Sequence, residues 1–160
     1  MITTETFTFS ATSEKRLVGV DPQLVAVVRE ALIQSPIDFG VAEGLRDLET
    51  QKRYVAEGKS QTLKSKHLIG EAVDLYAYDG KALWDKKSLC KVADAIQKAA
   101  KLLGIPITWG GNWLCKDICD YPLGMDCLAE EYLAIKKRKG EKGFVDMPHY
   151  QLGLAPVEYR

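Results

Sequence analysis

Only two histidines, His67 and His149, and four cysteines occur in this chain of 160 residues. Four cysteines, three of them between Cys115 and Cys127, are too few and too clustered for a disulfide framework, so the sequence predicts free thiols. Neither sign of charge is in excess, with 22 Lys and Arg against 22 Asp and Glu. The strongly basic body that nucleic acid requires is therefore missing. The opening MITTETFTFSATSEKRLVGV has no basic stretch followed by an apolar one, and no apolar run reaches the length of about 18 residues that spans a bilayer. These absences predict a protein made and folded in the cytosol, without stable membrane insertion. No repeat, low-complexity tract or shift in composition divides the chain, so residues 1–160 are read as a single domain.

The hydrophobic pattern supplies the elements. DPQLVAVVREALIQS has Asp21 as N-cap, Pro22 in the first turn, and Leu24, Val27, Val28 and Leu32 at helical spacing. KKSLCKVADAIQKAAKLLG places Leu89, Val92, Ala93, Ile96, Ala99, Ala100 and Leu103 on one stripe and stops at Gly104. Strands are predicted for IDFGVAEGLRD, ending near Arg46, and for EAVDLYAY, IPITWGGNW and FVDMPHYQLGL. LETQKRYVAEG reads as a short helix and KSQTLKSKHLIG as an exposed loop. Helices mixed with short strands outside regular βαβ alternation predict an α+β fold, a mainly antiparallel sheet flanked by helices. Residues 114–143 hold a helical pattern, CLAEEYLAIKKRKG, and read as an insertion or a lid.

In AVDLYAY, alternation turns Val73, Leu75 and Ala77 to the core and leaves Asp74 on the other face with Ala72, Tyr76 and Tyr78. A carboxylate there is costly unless it is solvated, paired or bound to a cation. In DMPHYQL, Met147, His149 and Gln151 share a face. If the two strands are neighbours, His67, Asp74 and His149 converge, and Gly70 permits the turn that returns His67 toward Asp74. Two imidazoles and a carboxylate with a fourth position left to water is the ligand set of a catalytic zinc site, with the metal on the sheet. Asp146 is the candidate base. It reaches the face of His149 only if the chain bends between them, and Pro148 is consistent with a bend. Taken singly, each residue has a plainer reading: a hydrogen-bonded histidine, a solvated strand carboxylate, a turn-forming aspartate.

SKHLIGEAVD fits S-x-H-x-x-G-x-A-x-D, and DMPHYQL pairs an acidic residue with a histidine three positions on. Together they resemble the zinc peptidases that group D-alanyl-D-alanine carboxypeptidases and dipeptidases with phage L-alanyl-D-glutamate endolysins. The likeness runs from about Asp21 to Leu152. It implies Zn2+ held by His67, Asp74 and His149, with Asp146 as the catalytic acid and base. EGLRDLETQKRYVAEGKSQT resembles the segment around the family's arginine, which makes Arg46 the group facing the polarised carbonyl oxygen. It also gives Gln51 and Ser60 a place in substrate binding. WGGNW resembles the family's Trp-Gly segment, so Trp109 or Trp113 walls the cleft or packs in the core. The function implied is hydrolysis of peptidoglycan stem peptides by a monomeric phage endolysin that cuts between L-alanine and D-glutamate after release through the inner membrane. The alternatives are a D-alanyl-D-alanine carboxypeptidase or dipeptidase, and a wall-binding module without turnover.

Two departures stand out. Many members carry glutamate where this chain has Gln151, and residues 114–143 are longer than the shortest members need. Cys115, Cys119 and Cys127 have no fourth cysteine or histidine nearby to complete a structural zinc site, and a disulfide formed after release is the other reading. Asp117, Asp120 and Asp126 do not match a calcium-binding loop. The basic IKKRKGEKG reads as the solvated end of a helix, or as an aid to approaching an anionic cell envelope.

Overall fold

In the computed structural model, which describes residues 6–160, three helices begin directly after an aspartate. Asp21 caps α2 (Pro22–Gln34), Asp47 caps α3 (Leu48–Ala56) and Asp85 caps α4 (Lys86–Leu103), each carboxylate accepting a backbone N–H of the first turn at 2.7–3.0 Å. Such a cap contributes about 1 kcal/mol. The apolar stripes of α2 and α4 meet in one core with Val73, Leu75 and Ala77. Each large aliphatic side chain buried there contributes about 1.5–3 kcal/mol. Leu103, in the last turn of α4, stays 41% exposed, so the stripe ends one turn earlier than its spacing predicts.

The sheet is antiparallel throughout. Strands β1 (Asp38–Glu43), β2 (Ala72–Tyr78), β4 (Thr108–Trp109) and β5 (His149–Gln151) lie in the order β1-β2-β5-β4, with β3 (Ala82–Leu83) pairing beside the end of β2. With its flanking helices it is the α+β architecture expected from the sequence. In β1, Val41 pairs with Leu75 but Glu43 pairs with Asp74, so Ala42 is an extra residue in a bulge. The bulge ends β1 before Arg46, short of the expected limit, and puts Glu43 directly opposite Asp74. His149 faces Asp74 from the other side.

Several strands are shorter than their sequence patterns. IPITWGGNW contributes only Thr108 and Trp109 before the chain turns at Gly110. FVDMPHYQLGL contributes only His149–Gln151, because Asp146–His149 forms a turn in which the His149 N–H donates to the Asp146 carbonyl at 3.1 Å. Met147 therefore lies outside the ladder and packs on the core instead of sharing a face with His149. The stretch expected as an exposed loop tightens into a 3-10 turn at Lys66–Ile69, and Thr62 and His67 are buried.

Helix α1 (Ala11–Arg16) has no counterpart in the sequence reading, since six residues are too few to show a period. It lies along β1, where Ser13 Oγ accepts the Val41 N–H at 3.0 Å and Arg16 donates to the Val41 carbonyl at 2.9 Å. Residues 114–143 contain a 3-10 turn (Ile118–Asp120) and α5 (Met125–Arg138). Ile118, Met125, Leu128 and Tyr132 are buried, and the Met125 N–H donates to Asp94 of α4 at 2.9 Å. Lys136, expected at a solvated helix end, turns inward, and its Nζ donates to Glu141 and to the Arg160 carbonyl oxygen, both at 2.8 Å. No helix among the described residues is long and apolar enough to cross a membrane.

Candidate metal centre and active site

Asp74 stands at the middle of a row across the sheet, between Glu43 on β1 and His149 on β5. Its Oδ1 is 3.2 Å from His67 Nε2 and 3.2 Å from His149 Nδ1. His67 reaches it from the 3-10 turn before β2. That turn is closed by Gly70 at φ +72°, where an added Cβ would lie 2.3 Å from the Gly19 carbonyl oxygen.

Hydrogen bonds on the far side of each ring set the tautomers. His67 Nδ1 lies 2.7 Å from the Gly44 carbonyl, which can only accept, so Nδ1 carries a proton and Nε2 is the nitrogen aimed at Asp74. His149 Nε2 lies 2.8 Å from Gln151 Oε1. The Gln151 amide nitrogen donates to the Gly153 and Leu154 carbonyls at 3.3 and 3.0 Å, which fixes Oε1 as the acceptor toward His149. Nδ1 is thus the nitrogen that His149 turns inward, toward Asp74. The three ligand atoms lie within 4.8 Å of one another, and neutral imidazoles with a carboxylate are donors that can hold a divalent ion. Among the described residues, no such grouping includes the cysteines.

The charges of these side chains act on one another. Burial works against the ionised form of Asp74, but the neighbouring His67 and His149 hold its pKa well below the usual carboxylate range. Burial also opposes a charged His149, while hydrogen bonding and charge from Asp74, with Asp146, hold its pKa above the ordinary value. Burial, and then the charge of Asp74, push Asp146 up to about 6, against the pull of His149, His67 and Arg46.

Asp146 shares a cleft of about 240 Å³ with His67, Asp74, His149 and Arg46. Gly110 holds it there: the Asp146 N–H donates to the Gly110 carbonyl at 2.8 Å, and the Gly110 N–H donates to the His149 carbonyl at 2.8 Å. A Cβ on Gly110 would lie 2.1 Å from the Asp146 carbonyl oxygen.

Arg46 is buried and fully braced. Its Nε and Nη2 donate to the two carboxylate oxygens of Glu43 at 2.5 and 2.9 Å, and its Nη1 donates to Gln51 Oε1 at 2.6 Å. The guanidinium carbon is 4.6 Å from the centre of the Tyr54 ring, and Nη2 is 3.7 Å from Asp74 Oδ2.

Ser60 lines the cleft. Gln51 does not: it is fully buried behind Arg46, its amide nitrogen committed to Ser60 Oγ at 2.9 Å and the Thr62 carbonyl at 2.5 Å. The two tryptophans separate. Trp109 is buried in the core with its Nε1 donating to the Met147 carbonyl at 2.7 Å, whereas Trp113 lines the cleft with its ring 5.2 Å from that of His149. Phe144 and Tyr159, which the sequence reading missed, complete this wall, each packed against Trp113 and 4.8 Å from the other. Glu43 was also missed; its only signal is an acidic residue late in a strand. The four cysteines carry free thiols. Burial pushes Cys90 up to about 11 and Cys119 up to about 12, which disfavours the reactive thiolate.

Residues 5–123 match the family model described as phage L-alanyl-D-glutamate peptidase. The L-alanyl-D-glutamate peptidase of Escherichia phage T5 is 38% identical over 112 residues, which is 67% of this chain and 82% of that protein. The enzyme of the same name from Listeria phage A118 is 37% identical over 78 residues, 48% of this chain and 27% of that protein. Among solved structures, the Serratia marcescens L-Ala D-Glu endopeptidase ChiX matches with a TM-score of 0.68 and 37% identity, covering 92% of this chain and 91% of that chain. The chain belongs to the phage L-alanyl-D-glutamate peptidase family.

Proposed function

We propose that this protein is a zinc-dependent endopeptidase of bacterial peptidoglycan that hydrolyses the bond between L-alanine and D-glutamate in the stem peptide. The observation that carries the reading is the convergence of His67, Asp74 and His149, each with one ligand atom turned inward, in a cleft shared with Asp146 and Arg46. The names of the relatives support the choice of bond. In this reading the chain works as a monomer and meets the wall after another protein has opened the inner membrane.

His67, Asp74 and His149 would hold the zinc, which when bound would supply Lewis acidity to lower the pKa of water to about 7 and polarise a carbonyl. Asp146 takes the proton of the attacking water and delivers it to the departing nitrogen of D-glutamate, so that the amine leaves neutral. Arg46 faces the carbonyl oxygen as negative charge gathers on it. Held in advance by Glu43 and Gln51, it need not reorganise during the reaction. Gln51 acts through Arg46, while Ser60 and Trp113 contact the peptide. Trp113, Phe144 and Tyr159 close one side of the cleft to water.

Digestion of purified cell-wall sacculi tests this reading. New amino-terminal glutamate, abolished by a chelator and restored by zinc, is the expected result. Release of free D-alanine alone would overturn it in favour of a carboxypeptidase, and no release at all would leave a binding module.

A further inference from the structure

Thr62, Lys66 and Pro156 line the cleft and also a second groove of about 380 Å³, so the two are continuous. The floor of this groove is apolar, formed by Leu154, Ala155, Pro156 and Val157, with Leu154 49% and Val157 74% exposed. Its rim carries the side chains of Lys64, Lys66 and Arg160. The nearest acid in an ion pair is Glu71, whose Oε2 lies 3.6 Å from Lys66 Nζ, with both side chains about one-third exposed. Three cations over an aliphatic floor select for a peptide that is anionic and carries methylene groups.

A stem peptide has that character on one side of the scissile bond only. Its glutamate is joined onward through the side-chain carboxyl, so the α-carboxylate stays free, one carbon from the leaving nitrogen. A diamino acid with an aliphatic chain and the terminal carboxylate lie beyond. On the other side, L-alanine is amide-linked and uncharged.

We propose that Lys64, Lys66 and Arg160 form the subsite for the glutamate side of the peptide. Lys66, at the junction with the cleft, pairs with the glutamate α-carboxylate. Lys64 and Arg160 take the carboxylates further along, while the diamino acid chain lies over Leu154 and Val157. This assignment rests on the stem-peptide reading given above.

The test uses two synthetic peptides that differ only at the glutamate α-position, one a free carboxylate and the other its amide. With the zinc-loaded protein, the carboxylate peptide should have the lower KM. A partly exposed ion pair accounts for about fivefold in binding. Lys66→Gln should therefore raise KM for the carboxylate peptide by about that factor, with little change in kcat and little change for the amide. Lys66→Arg should restore the preference. Lys64→Gln combined with Arg160→Gln should raise KM for both peptides. Equal KM values for the two peptides with the unsubstituted protein, or an equal loss on both in Lys66→Gln, would overturn the subsite.

If neither peptide is cut, the assigned bond is wrong and binding of the same peptides to Asp146→Asn decides the subsite separately. Tighter binding of the carboxylate form that Lys66→Gln abolishes retains it, and equal binding of the two forms overturns it.

Discussion

Asp146 occupies surroundings that oppose its ionised form, and this separates its role in catalysis from its effect on stability. Its folded pKa of about 6 lies above the ordinary 3.8, so the folded state holds the proton more tightly than the unfolded chain does. The resulting penalty is fully present above pH 6, fades as pH falls from 6 toward 3.8, and is gone below that. Metal-free Asp146→Asn should therefore unfold at a higher temperature than the parent at pH 7, with the difference shrinking below pH 6 in thermal melts. The same variant should keep its zinc in metal analysis and lose about 10²–10⁴-fold in turnover. Gln151→Leu removes the acceptor that orients His149, and competition with a zinc indicator should show affinity weakened about 10–100-fold. Gln151→Glu should recover most of it, because a carboxylate accepts the same Nε2–H. Alternation along AVDLYAY was enough to place Asp74 opposite the core side chains. It could not reveal Glu43, because the extra Ala42 shifts the register by one and a regular period contains no such insertion. Nor could it show that the Gln51 amide is used up by Arg46, Ser60 and Thr62.

Elements with strong periods were legible and irregular ones were not. The stripes of α2 and α4 mark the core directly, whereas β4 and β5 run for two and three residues because the chain bends at Gly110 and again between Asp146 and His149. Their sequence patterns extend beyond their hydrogen bonds. The bends matter more to the site than the strands do, since Gly110 clamps the Asp146–His149 turn from both sides. Gly110→Ala forces a Cβ onto the Asp146 carbonyl, so the turn must move. Denaturant unfolding should show a loss of about 1–3 kcal/mol. Zinc affinity and turnover should both fall, in contrast to Asp146→Asn, which spares the metal.

Across the whole molecule, the cleft draws on segments separated by more than a hundred positions, from Glu43 and Arg46 to Tyr159. Phe144 and Tyr159, which complete the aromatic wall begun by Trp113, were invisible in the sequence for that reason: they share no period with it and meet it only after folding. An ion held by His67, Asp74 and His149 would tie the Lys66–Ile69 turn, β2 and β5 together. Zinc at a hundred times its dissociation constant should stabilise the fold by about 2.7 kcal/mol. Calorimetry should register this as roughly 5–10 °C in melting temperature, reversed by a chelator and absent in His149→Ala. The margins of the sheet carry a consequence of another kind. On one side Ser13 and Arg16 occupy the outward polar groups of Val41, and on the other β4 is only two residues long. A foreign strand finds little backbone to zip onto beside Val41 or along β4, so concentrated solutions should stay free of edge-to-edge aggregates.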